Sequence, residues 1–235
     1  MRRVCAHASP APSMRLSNLT ANGKHLAYLH EGTLVALPDA AVVASAKDQH
    51  HTRLREPTGA SFHSVRFLPP PINLLAAASE TALHLFSAAN LAHLHSLPYA
   101  ALEPSPPRFS YLRGIASLVA SADGALAYIF VGTSEGSLIR LCYCMTGEPF
   151  ASPTLLRGVA KGPVVDLDAG AHQGQRVLAV AVGASEGGFD AARVLLLSVS
   201  AAGELEPRHA IRLGALELCH SLRFREGAPA CALST

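Results

Sequence analysis

Two pentapeptides carry a pattern associated with nucleophilic chemistry. Gly132-Thr133-Ser134-Glu135-Gly136 and Gly183-Ala184-Ser185-Glu186-Gly187 both fit G-x-S-x-G. In hydrolases that pattern presents a serine on a sharp turn between a strand and a helix. The serine needs a base, and the base needs an acid to orient it. For Ser134 the available set is Asp166 or Asp168 with His209 or His220. For Ser185 it is Asp190 with His209 or His220, which places the acid almost next to the nucleophile. The residues after Ser134, "GSLIRLCYC", read as a strand rather than a helix. An elbow is also made once per domain, whereas the Ser-Glu pair recurs at Ser79-Glu80, Ser134-Glu135 and Ser185-Glu186. The alternative is a three-residue hairpin loop. There Gly136 or Gly187 would occupy the left-handed position that only glycine adopts without steric cost. We assign no catalytic residue.

The remaining chemistry-bearing groups are weighed in the same way. His93 and His95 should share a strand face, with His84 on the preceding strand. A metal needs convergent ligands at matched spacing, and these read as surface or blade-edge histidines. His50-His51 reads as exposed in a polar loop. Cys142 and Cys144 flank Tyr143, closer than the usual zinc pair, and read as reduced thiols. The cysteine count is odd, with Cys5, Cys219 and Cys231 completing the set, which argues against a disulfide framework. Asp166 and Asp168 alternate on one strand face and read as acceptors of turn amides. The stretch "GASEGG" lacks the lysine of a phosphate-binding loop. No metal and no cofactor is expected.

These groups must be positioned by strands. Short apolar runs recur between Gly, Pro and Ser clusters, and few windows hold helical periodicity. "HLAYLHEGTLVAL" (His25 to Leu37) reads as two strands around a Glu31-Gly32 turn. Lys47 to Gly59 reads as a loop. Strands are then expected around Val65, Leu75, Leu85 and His93, around Ile115, Ile129, Leu141 and Leu155, and around Val165, Val180, Leu196 and Ile211. "EPSPPRFS" (Glu103 to Ser110) is a linker. Opening strands fall near Val65, Ile115, Val165 and Leu222, at a period of about fifty residues that fits four-stranded propeller blades. The blades span 25–60, 61–102, 111–157 and 162–213, and a further one opens at 219–235. Residues 1–24 read as an irregular leader. Met1 to His30 holds no acid and has basic Arg2, Arg3, Arg15 and Lys24, which resembles a transit peptide in charge. Pro10 and Pro12 break any long helix there.

The whole-chain numbers agree with a globular interior: 49% hydrophobic residues and 15% charged. No apolar run approaches the roughly 18 residues of a membrane-spanning helix. The net charge of +2 comes from scattered Lys and Arg, which gives no nucleic-acid footprint.

At Val131 to Glu148, "VGTSEGSLIRLCYCMTGE" resembles the second half of a WD40 repeat. Gly132, Ser134, Glu135 and Gly136 fall on its first turn, and Thr146-Gly147-Glu148 on its second. "ASETALHLFSAANLAHLHSL" (Ala78 to Leu97) is a looser copy, with Phe86-Ser87 where Trp-Asp would stand. The chain departs from the family in having no Trp and no Gly-His pair, which puts the family's His–Asp hydrogen-bond network in question. The resemblance implies an all-β, WD40-like propeller of about four blades, an incomplete ring against the usual seven. It implies a non-catalytic adaptor in the cytoplasm, whose partners are other proteins in a multi-subunit complex. A structural role in a ciliary axoneme or cytoskeletal assembly is the alternative.

Overall fold

The computed structural model describes residues 19–38, 52–103, 112–146, 149–184, 191–214, 219 and 221–224. They form four antiparallel sheets of four strands, each sheet in simple up-and-down order. Sheet 1 holds β1 (Leu19–Ala21), β2 (His25–His30), β3 (Thr33–Pro38) and β4 (Thr52–Leu54). Sheet 2 holds β5 (Phe62–Phe67), β6 (Leu74–Ser79), β7 (Ala82–Ser87) and β8 (His93–Pro98). Sheet 3 holds β9 (Leu112–Val119), β10 (Leu126–Thr133), β11 (Leu138–Cys144) and β12 (Phe150–Leu156). Sheet 4 holds β13 (Val164–His172), β14 (Gln175–Val182), β15 (Arg193–Val199) and β16 (Leu205–Arg212). A 3-10 turn over Tyr99–Ala101 follows sheet 2. No helix of the described residues is long and apolar enough to cross a membrane.

The sheets stack face on face. Leu29, Leu34, Phe62 and Leu75 fill the space between sheets 1 and 2. Leu83, Leu85, Ile115 and Ile129 fill that between sheets 2 and 3. Phe130, Leu138, Val164 and Val180 fill that between sheets 3 and 4. Both faces of an interior strand are therefore covered. That is why β6 reads "LLAAAS", buried at every position, instead of alternating apolar with polar. The outermost strand β16 is mostly exposed, β8 is exposed at half of its positions, and both carry polar residues. The first strand of each sheet packs on the first strand of the next: β1 on β5, β5 on β9 and β9 on β13. These four strands line one side of the stack, and among the described residues the sheets do not close into a ring.

Three sequence expectations need correction. The leader read over 1–24 contains β1, which pairs with β2. The loop read over Lys47 to Gly59 contains β4, which pairs with β3. Each is a three-residue edge strand, too short to show a period, and held by its neighbour. His93 and His95 do not share a face. The β7–β8 register shifts between Leu85 and Phe86, so that His95 pairs with Leu85 and His93 with Phe86. The extra residue, Leu94, turns the two histidines to opposite sides. His93 lies edge-on to Phe86, and His95 stacks on Phe150 of the next sheet.

Candidate functional site

The Ser134 motif joins two strands. β10 enters it and β11 leaves it. Thr133 and Ser137 pair across a three-residue loop: the Thr133 amide donates to the Ser137 carbonyl at 3.0 Å, and the Ser137 amide to Thr133 Oγ1 at 3.1 Å. Gly136 has φ +80, the left-handed position such a loop requires. The Ser134 hydroxyl donates to Glu135 Oε1. Both glycines of the motif also meet the next sheet. A Cβ on Gly132 would lie 2.2 Å from Val164 Cγ1, and one on Gly136 would lie 2.2 Å from the Ala160 oxygen. The pattern G-x-S-x-G is here a consequence of close approach between sheets 3 and 4.

The same contact recurs in every sheet. The chain leaving the outermost strand donates one amide to a carbonyl beside the turn between the second and third strands. Phe62 donates to Gly32 at 3.0 Å, Tyr99 to Thr81 at 2.8 Å, Ala160 to Gly136 at 2.9 Å and Leu213 to Ala192 at 2.9 Å. In sheet 1 the turn is Glu31-Gly32, both at positive φ as a type I′ hairpin demands. In sheet 2 Ser79 Oγ accepts from the Thr81 and Ala82 amides and closes the turn without glycine.

The candidate set of Ser134, Asp166 or Asp168, and His209 is not assembled. Asp166 and Asp168 lie on β13, one edge of sheet 4, and His209 lies on β16, the other edge. Four strands spaced about 4.8 Å apart separate those edges by roughly 14 Å. The two aspartates are occupied elsewhere. Asp166 Oδ2 accepts the Leu222 amide at 2.9 Å and Arg223 Nη1 at 2.9 Å. Asp168 accepts the Phe224 amide and Arg66 Nη2. They bind amides as read, but those of an incoming extended segment instead of a turn. Arg66, on β5, reaches past β9 and also donates to the Ile115 carbonyl at 2.8 Å and the Leu167 carbonyl at 2.7 Å. One guanidinium thus ties the inner strands of sheets 2, 3 and 4. Cys142 and Cys144 are free thiols on β11, and burial pushes the Cys142 thiol up. Among the described residues no group of three His, Cys, Asp or Glu converges to hold a metal. Ser185, Glu186, Gly187, Asp190, His220, His50, His51, Gly147, Glu148, Cys5 and Cys231 lie outside the described residues.

One buried polar cluster was not legible in the sequence. Glu56, in the segment joining sheets 1 and 2, is 4% exposed. Its Oε2 accepts the Thr58 and Ala60 amides, and its Oε1 accepts Thr81 Oγ1 at 3.1 Å and faces His84 Nε2 at 3.2 Å. His84 is 2% exposed, and its Nδ1 lies 2.9 Å from Ser96 Oγ. Burial and the nearby His93 hold the His84 imidazole below its usual range, against the pull of Glu56. Burial raises the Glu56 carboxyl, but the donors from Thr58, Ala60 and Thr81 outweigh it and the net direction is down.

No protein-family model matches the chain, and no curated protein matches it. Many solved structures resemble it. The β-propeller domain of Cps50 (Swd1) from Myceliophteria thermophila superposes with a TM-score of 0.50 at 16% identity, covering 83% of this chain and 58% of that one. The fission yeast SREBP-SCAP binding domains superpose with a TM-score of 0.58 at 12% identity, covering 100% of this chain and 58% of theirs. The fold is an open β-propeller. This chain spans less than two thirds of the length of either neighbour.

In propeller terms each sheet is a blade, and the repeated amide contact lies at the end of the propeller that carries the second-to-third-strand turns. The Glu56–His84 cluster joins blade 1 to blade 2 at that end. A second such link joins blades 2 and 3, where the Tyr99 hydroxyl donates to Glu135 Oε2 at 3.2 Å. Burial and the Glu135 charge push the Tyr99 phenol up to about 12. A raised folded value means that the contribution is complete below about pH 10, the unfolded phenol's range, and is lost as pH rises through about 12. Thermal melts in that window should show a steeper loss for the native chain than for Tyr99→Phe. Equal slopes would remove Tyr99 as the group responsible.

Proposed function

We propose that this chain is a non-catalytic protein–protein interaction scaffold of the WD40-repeat type. The observation that supports it best is the amide contact repeated in all four blades. It holds the turns of blades 1 to 3 as a row at one end of the propeller, and the tips of blades 1 and 2 stay in water. The Glu31 and Glu80 side chains are 85% and 55% exposed there. Loops held on a rigid frame are the usual place for recognition. The pieces "SNLTANGKHLAYLHEG", "YLRGIAS", "VGTSEGSLIRL" and "GPVVDLDAG" also resemble, in order, the N-terminal half of WD-repeat-containing protein fifty-four, a propeller adaptor. Partners are accordingly other proteins in a multi-subunit complex in the cytoplasm.

The test compares the two ends of the propeller. The native chain, a Glu31→Lys/Glu80→Lys variant and an Arg176→Glu/Arg208→Glu variant at the opposite end are used as bait, with mass spectrometry of what they retain. The reading expects reproducible partners of the native chain to fall at least tenfold in the Glu31/Glu80 variant alone, with thermal stability unchanged. Identical recoveries from all three baits would remove the reading. So would ester hydrolysis by the purified chain that Ser134→Ala abolishes.

A further inference from the structure

The Glu56 cluster continues to the protein surface. Ser96 Oγ lies 2.9 Å from His84 Nδ1 and 2.8 Å from His93 Nε2, and His93 is exposed. Four groups therefore form one line: Glu56, His84, Ser96 and His93.

Counting protons gives the line a direction. Ionised Glu56 is acceptor only, so His84 Nε2 carries the proton it donates. A neutral His84 then leaves Nδ1 as an acceptor, which the Ser96 O–H fills. Ser96 Oγ in turn accepts from His93 Nε2–H. Each donor has one acceptor and no proton is left over.

We propose that this line is an acid-sensitive latch that holds the segment between blades 1 and 2 (residues 55–61) and releases it when His84 takes up a proton. A proton on His84 Nδ1 turns that acceptor into a donor. Ser96 then faces two N–H donors, and its own O–H must find another partner. The His93 ring, its centroid 6.0 Å from that of His84, also opposes a charge on His84. Glu56 anchors the segment through the Thr58 and Ala60 amides. Burial of the charged ring outweighs its attraction to Glu56, so proton uptake favours opening of the residues that lead into β5, beside the Phe62–Gly32 bond.

The groups acting on the latch come from every element around it. Glu56 and Thr58 come from the segment itself, Thr81 from the turn of blade 2, His84 from β7, and His93 and Ser96 from β8. Phe62 of β5 meets the His84 ring edge-on, and Phe86 of β7 meets His93. His63 of β5 is paired with Glu80 beyond this group. His95 lies on the other face of β8, against Phe150. The lowered folded value of His84 sets the sign. Its contribution is complete above about pH 6.5, where the unfolded imidazole is neutral, and is lost as pH falls below it.

Hydrogen exchange at the Thr58 and Ala60 amides reads the latch directly. After correction for the intrinsic rate, opening linked to one proton makes protection fall up to about tenfold per pH unit below about pH 6.5. We expect a loss of about tenfold between pH 7 and 5.5 in the full chain, and a flat profile in His84→Gln, which keeps a donor to Glu56 but does not titrate. Ser96→Ala removes the bond that favours neutral His84 and brings its folded value nearer that of the open state, so the loss below about pH 6.5 should be smaller than in the native chain. Imidazole nitrogen shifts at pH 7.5 should show His84 protonated at Nε2. Protection unchanged between pH 7 and 5.5, an equal loss in His84→Gln, or a proton on His84 Nδ1 would each overturn the proposal. Should His84→Gln not fold, the smaller loss in Ser96→Ala and the tautomer decide it alone.

Discussion

Gly136→Ala should lower the stability of the propeller by roughly 3 kcal/mol, while Ser134→Ala in the same motif should lower it by only about 1 kcal/mol. The glycine sits at φ +80, where an L side chain is strained by about 1–2 kcal/mol. Its new Cβ would lie 2.2 Å from the Ala160 oxygen and 2.6 Å from the Gly162 oxygen. Both obstacles are backbone and cannot rotate away. The loop must shift, and the Ala160–Gly136 hydrogen bond is lost with it, adding about 1 kcal/mol. Ser134 loses its hydroxyl bond to Glu135 without straining the backbone. For a chain of this size the glycine change should move the melting temperature by about 6–12 °C. A differential scanning measurement of both variants gives the comparison. A serine effect as large as the glycine effect would contradict the structural reading of the motif.

Arg66→Met should be as damaging, at roughly 3–4 kcal/mol, because it strips three acceptors at once. The Ile115 and Leu167 carbonyls lose their side-chain donor, and Asp168, whose side chain is 8% exposed, loses its cation. Asp168 keeps the Phe224 amide, so the charge is not left wholly bare. Urea unfolding of Arg66→Met, Asp168→Asn and the double variant separates the terms. The double variant should be less destabilised than the two single changes added together, because one carboxylate and one guanidinium share the penalty. An Arg66→Met effect under about 1 kcal/mol would mean that the inner strands are held by apolar contacts alone.

How much of this was readable beforehand depends on the range of the interaction. The interior strands β6, β10 and β14 were legible because two covered faces demand an unbroken apolar run, whatever the neighbours are. The Glu31-Gly32 and Gly136 turns were legible because positive φ restricts residue type locally. The edge strands β1 and β4 were not, since three residues carry no period. The turn of the two histidines in β8 was not either. A single extra residue reverses the alternation, and nothing in "HLHSLP" marks where it falls.

The sequence by itself determined an all-β chain with a repeat of about fifty residues, and glycine where the hairpins need it. Burial on two faces and positive φ are demands that a residue meets within its own few neighbours. Only the tertiary structure decided which polar groups meet. Glu56 finds His84, Tyr99 finds Glu135, and Arg66 finds Asp168 across 102 positions. The first two pairs are joined by stacking one blade on the next and the third reaches across the inner strands of three blades, and a buried charge is stable only beside the partner that the stacking delivers.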